Sequence, residues 1–120
     1  MKWIILIGGE SFGIDTIKSM EHFGSVRCFE VNGVENRYCV DFGDEHIFYD
    51  YGEIAYDYGE DELSKVPYEN LHFITMVYSS KDTVKKVLTQ SNFPGDIYID
   101  NDHGLLVPFD EFIGLGMPLE

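Results

Sequence analysis

Leu71-His72-Phe73-Ile74-Thr75-Met76-Val77-Tyr78 is the stretch on which the fold turns. It is apolar at nearly every position, rich in β-branched and aromatic residues, and short, which reads as an interior strand. Ser79-Ser80-Lys81-Asp82 follows as a helix start, with Ser79 and Asp82 at capping-box spacing. Val84, Val87 and Leu88 then supply one apolar stripe, and Lys81, Lys85 and Lys86 the solvent face. Phe93-Pro94-Gly95 breaks that helix. Residues 97–99 and 105–107 read as a hairpin about Asn101-Asp102-His103-Gly104, with a last helical turn over 108–112.

The same pattern, strand then helix, opens the chain. Residues 3–7 form a second apolar run, Gly8 to Gly13 a turn, and Ile14, Ile17, Met20 and Phe23 recur at helical spacing up to Gly24. Residues 25–31, 36–42 and 46–51 read as a three-stranded meander. A two-residue loop at Gly33-Val34 sets Glu30 opposite Arg37, Phe29 opposite Tyr38 and Cys28 opposite Cys39. That register makes a Cys28–Cys39 disulfide geometrically available, although reduced packing thiols are the expectation. One face of the meander carries Phe29, Tyr38, Val40, Ile47 and Tyr49.

The element order is therefore βαβββ, an acidic connection, then βαββ. It predicts an α+β fold: one two-layer domain over residues 1–118, with a mixed sheet of about six to seven strands and two helices. Leu119-Glu120 reads as a vector-derived tail. The chain of 120 residues, 44% hydrophobic and 15% aromatic, is large enough for a real core.

Charge narrows the function classes. Asp and Glu number 22 against 8 Lys and Arg, a net charge of -14. Binding to nucleic-acid phosphates needs clustered cations, and anionic membranes repel such a surface. No apolar run approaches the ~20 residues that span a bilayer, and the N-terminal run is too short for a signal-peptide core. With two cysteines and no C-x-x-C, a cytoplasmic protein is expected.

Gly9-Glu10-Ser11-Phe12-Gly13 fits the G-x-S-x-G elbow between a strand and a helix. Over these five residues it resembles the serine esterases of the α/β-hydrolase family. The resemblance implies Ser11 as nucleophile, with His103 and Asp100 or Asp102 as base and acid. Those enzymes place several strands before the elbow, whereas eight residues precede it here. A glycine-rich turn with Ser11 as helix cap is the preferred reading. Phosphate-loop motifs fail, because Glu10 stands where a dinucleotide loop needs Gly, and Ile14-Asp15 where a triphosphate loop needs Lys-Ser/Thr. Asp100, Asp102 and Glu111 match three positions of a calcium loop, but its Gly is misplaced and a strand precedes it. His22, His46, His72 and His103 lack ligand spacing. No cofactor or metal is expected.

The densest signal is acidic and aromatic. Between Arg37 and Lys65 lie 27 residues without Lys or Arg, containing nine acids and five tyrosines. Tyr49-Asp50-Tyr51-Gly52-Glu53 recurs there as Tyr56-Asp57-Tyr58-Gly59-Glu60. Carboxylates steer and pair with a basic partner, while Tyr supplies rigid contact area and a hydroxyl. The expected function is a small binding protein of the inhibitor or immunity type. Its partner is a basic protein, such as a toxin or a nucleic-acid-processing enzyme, met by Asp50, Tyr51, Asp57, Tyr58, Glu60 and Asp61. The alternatives are a small serine hydrolase using Ser11, and a structural domain whose exposed edge strand pairs two chains into a homodimer.

Overall fold

The two apolar runs that anchor the sequence reading lie side by side at the middle of one sheet. The computed structural model describes residues 2–52 and 58–119. The elements run β1 (Lys2–Gly8), α1 (Ile14–Ser19), β2 (Arg27–Glu30), β3 (Arg37–Asp41), β4 (His46–Tyr51), α2 (Glu60–Leu63), β5 (His72–Tyr78), α3 (Lys81–Leu88), β6 (Tyr98–Asp100), β7 (Leu106–Pro108) and α4 (Phe109–Gly114). The strands share one seven-stranded sheet in the order β2-β3-β4-β5-β1-β6-β7. All belong to a single α+β domain. Among the described residues no helix is long and apolar enough to cross a membrane.

Every neighbouring pair is antiparallel, which corrects the expected mixed sheet. The reason lies in the crossovers. Strands joined through α1 or α3 do run in the same direction, but other strands lie between them. The chain leaving β5 through α3 passes over β1 before entering β6, and the chain leaving β1 reaches the far edge at β2. Helix connections thus signal parallel direction without parallel neighbours. Helix α2 is an addition to the expected elements, and α4 extends the helical turn expected over 108–112 to Gly114.

Alternation gives each strand one side chain per face in turn. On the first face, Ile4, Leu6, Val40, Ile47, Tyr49, Ile74, Met76, Tyr78 and Ile99 meet Ile17 of α1, Val84, Val87 and Leu88 of α3, and Phe112 of α4. Leu119 also packs against this core, half-buried. The second face has only a partial cover. Tyr58, Leu63, Val66 and Tyr68 lie over Ile5, Ile7 and Phe73. The remainder of that face, toward β2, is open.

The opening turn serves packing. Phe12 is buried, and a methyl group on Gly8 would stand 2.5 Å from its Cβ. The helix cap is Gly13, not Ser11; its N–H donates to Thr16 Oγ1 at 3.2 Å. Helix α1 stops at Ser19, which leaves Phe23 exposed rather than on the helical stripe. At α3 the cap is Ser80, one residue after the expected Ser79, and its Oγ accepts from the Thr83 N–H at 3.3 Å.

The β2–β3 register is one residue away from the expected one. Glu30 faces Tyr38, Phe29 faces Cys39, and Cys28 faces Val40. The cause is the loop: Val31 N–H donates to Arg37 O, and both Gly33 (φ 79°) and Asn36 (φ 58°) are left-handed, so the connection is longer than two residues. A one-residue slip exchanges faces. Phe29 therefore leaves the first face, and the two thiols point to opposite sides of the sheet, Cys28 exposed and Cys39 buried. Both are free.

Candidate functional site

The open face is built of rows that run across the strands. Trp3, Val77, Phe48, Cys39 and Phe29 form one apolar row through β1, β5, β4, β3 and β2. Beside it runs a polar row, Asp100, Ile5, Thr75, Asp50 and Arg37, from β6 to β3. Two hollows lie on these rows, with Thr75 lining both.

The larger hollow, about 400 Å³, is lined by Trp3, Ile5, Tyr58, Glu62, Thr75, Asp100 and Asp102. Its floor is the sheet, because alternation turns Trp3 and Ile5 to the same side and the β1–β6 pairing sets Asp100 across from Ile5. Trp3 remains 45% exposed. Tyr58 enters from the chain before α2. Its ring stacks on Phe73 with centroids 5.6 Å apart, and its hydroxyl donates to Asp100 Oδ2 at 2.7 Å. Burial and that hydrogen bond push the Tyr58 hydroxyl far above its ordinary value, so it stays a donor at any physiological pH.

The β6–β7 turn orders the acid side of the hollow. Asp100 Oδ1 accepts from the Asp102 N–H at 2.8 Å. Buried Asn101 accepts from the N–H groups of His103 and Leu105 and donates to Pro118 O at 2.9 Å. Asp102 (φ 62°) and Gly104 (φ 90°) take the left-handed conformations that close the turn. On the other side Glu62 projects from α2, with Oε1 accepting from the Gly59 N–H at 3.1 Å. Among the described residues no Lys or Arg lines the hollow. Two aromatic rings and three carboxylates around one cavity suit a cationic side chain. A guanidinium or ammonium gains from ring faces and carboxylates together, and more as water is displaced.

The smaller hollow, about 260 Å³, includes Arg37, Asp50, Tyr51, Phe73 and Thr75 in its lining. Arg37 already holds Asp50 in a two-pronged bond, Nε to Oδ1 at 2.6 Å and Nη2 to Oδ2 at 2.7 Å, and lies over the Phe48 ring at 4.6 Å. The Asp50 carboxylate raises the Arg37 guanidinium still further above neutrality.

The residues selected from sequence are thus distributed. Tyr58 lines the larger hollow. Asp50 and Tyr51 line the smaller one, and the Tyr51 hydroxyl donates to Glu30 Oε1 at 3.0 Å. Glu60 and Asp61 are exposed in the first turn of α2, next to Glu62. Asp57 lies outside the described residues. Trp3, Glu62, Asp100 and Asp102 are the site residues that sequence reasoning did not select. The hydrolase candidates are far apart. Ser11 follows the end of β1, while β6 runs antiparallel to β1 and leaves it at Asp100, opposite Ile5 in mid-strand, so His103 lies toward the other end of β1. Among the described residues no group of three or more His, Cys, Asp or Glu is placed to hold a metal ion.

No protein-family model, curated protein or solved structure matches the chain significantly.

Proposed function

We propose that this chain is a small cytoplasmic binding protein that engages a basic protein partner, as an inhibitor or immunity-type protein does. The hollow between Trp3 and Tyr58 on the open sheet face receives an Arg or Lys side chain of that partner. The observation that carries this reading is the lining: aromatic rings and the carboxylates of Glu62, Asp100 and Asp102, with no cation among the described residues that form it. Asp100 is engaged by Tyr58 and the turn, so it orients the site. Glu62 and Asp102 are exposed and meet the incoming charge, Glu62 while its Oε1 also accepts from the Gly59 N–H. Trp3 acts as the rigid anchor, in the manner of aromatic residues at interface centres. Glu60 and Asp61, beside Glu62 on α2, extend the negative field and raise the association rate.

The test is calorimetric titration of a hexa-arginine peptide into the native protein and into a Glu62→Lys, Asp102→Lys double variant. The native protein is expected to bind, with affinity falling as salt rises. The variant is expected to lose at least ~10-fold in affinity, as removal of close charge pairs does. Equal affinity for both proteins overturns the assignment of the cavity.

A further inference from the structure

We infer that two copies of this chain pair along the free edge of β2, antiparallel, with Phe29 facing Phe29 across a two-fold axis. Strand β2 ends the sheet, and all four of its residues are exposed. The Val31 N–H donates to Arg37 O, so the bonded pairs between β2 and β3 fall at odd-numbered β2 positions. The main-chain N–H and C=O groups of Cys28 and Glu30 then point outward. Among the described residues β2 pairs with β3 alone, and none of these four groups takes part in a turn, loop or cap hydrogen bond between main-chain groups. An edge of this kind is a template for another strand.

Two observations select a second copy as the occupant. The first is charge. Strands β2 and β3 carry Arg27, Glu30, Arg37 and Asp41, and these pair among themselves or with Lys18 and Asp50. Three cations and three carboxylates cancel, so the two edge strands are neutral; Glu35 in their connecting loop stands outside these pairs, and the rest of the net charge of -14 resides elsewhere. The edge is a place where two strongly acidic molecules meet without repulsion, and one that gives a basic partner no attraction. The second is apolar exposure. Of the six large hydrophobic residues exposed among the described residues, Val26, Phe29 and Val34 belong to β2 and its flanking loops. The opposite edge differs: β7 ends in Pro108, which has no N–H, and runs directly into α4.

Centring the pairing on Phe29 lets Cys28 of one copy and Glu30 of the other exchange both main-chain hydrogen bonds. Phe29 sits opposite its counterpart on the open face. The apolar row Trp3, Val77, Phe48, Cys39, Phe29 then continues into its symmetric copy, and the two sheets merge into one.

Light scattering on the full-length protein at high micromolar concentration tests this. The expected mass is twice the 13.8 kDa of the chain, falling to the single mass on dilution. Cys28→Pro removes an outward N–H and no bond to β3, so that variant is expected to keep its circular dichroism and melting temperature but run as a monomer. In a Cys28→Ser background, Phe29→Cys is expected to form a disulfide-linked dimer with oxidised glutathione. Facing residues of a non-hydrogen-bonded pair lie ~4.5 Å apart at Cα, within disulfide reach. A native protein that is monomeric at every concentration overturns the inference. So does a dimer that survives Cys28→Pro, or one whose Phe29→Cys variant does not cross-link.

Discussion

His22 is the residue whose chemistry depends most on the fold. It is 3% exposed, with Nε2 2.8 Å from the Tyr49 hydroxyl and Nδ1 3.1 Å from Met20 O. The Met20 carbonyl can only accept, so Nδ1 donates, and in the neutral ring Nε2 accepts from Tyr49. Burial holds the imidazole below its ordinary value of 6.5. The unfolded chain therefore takes up a proton below 6.5 that the folded chain refuses. Stability is expected to fall as pH drops from 6.5 to the lowered folded value, and to change little above 6.5 on account of this group. Melting temperatures over that range check it, and His22→Gln is expected to flatten the slope. A slope unchanged in the variant contradicts the role. None of this was legible in the sequence, where His22 shows only that it lacks a ligand spacing. Gly9 was legible as a turn residue, whereas Gly8, also read as turn, ends β1, and the reason for a glycine there was not legible. Phe12 packs where a Gly8 side chain would stand, a contact that exists only once the turn has folded back.

At the scale of elements, periodicity identified every strand together with helices α1 and α3, because apolar spacing reflects which face each element buries. Register was another matter. Glu30 with Arg37 looked like a cross-strand ion pair, and that agreement favoured the wrong alignment. In the fold Glu30 meets Lys18 of α1 and the Tyr51 hydroxyl, while Arg37 holds Asp50 on β4. Partners from elsewhere in the chain outcompeted the local one, and no local pattern reports that. The sheet was misjudged as mixed for a similar reason: a helix connection fixes strand direction but not which strand lies between. The corrected register has a direct chemical consequence. Cys28 is exposed on one side of the sheet and Cys39 is buried on the other, its thiol pushed up chiefly by burial. A thiol-reactive chromogenic disulfide is expected to react quickly with one thiol in the native protein and with both in denaturant. Mild oxidation is expected to yield no intrachain disulfide. A native Cys28–Cys39 bond would require the register expected from sequence.

For the whole molecule, the decisive property is how its charge is laid out. The acid-rich segment was visible in the sequence as a run without Lys or Arg, and it does supply Tyr58 and Glu62 to the larger hollow. The other half of that hollow comes from toward the chain ends, Trp3 in β1, Asp100 at the end of β6 and Asp102 just after it. They meet only because β6 pairs with β1, a contact between residues nearly a hundred positions apart that composition cannot reveal. The molecule thus presents a neutral β2 edge and an acidic, aromatic cavity on the same open face. Trp3 is the single tryptophan of the chain and lines that cavity, so it reports on the cavity alone. The most direct measurement is Trp3 fluorescence during titration with the hexa-arginine peptide. A saturable change in emission, reversed by salt and absent in the Glu62→Lys, Asp102→Lys variant, is the predicted result. Peptide binding seen by calorimetry with Trp3 emission unchanged would place the cation elsewhere on the acidic surface and contradict the account.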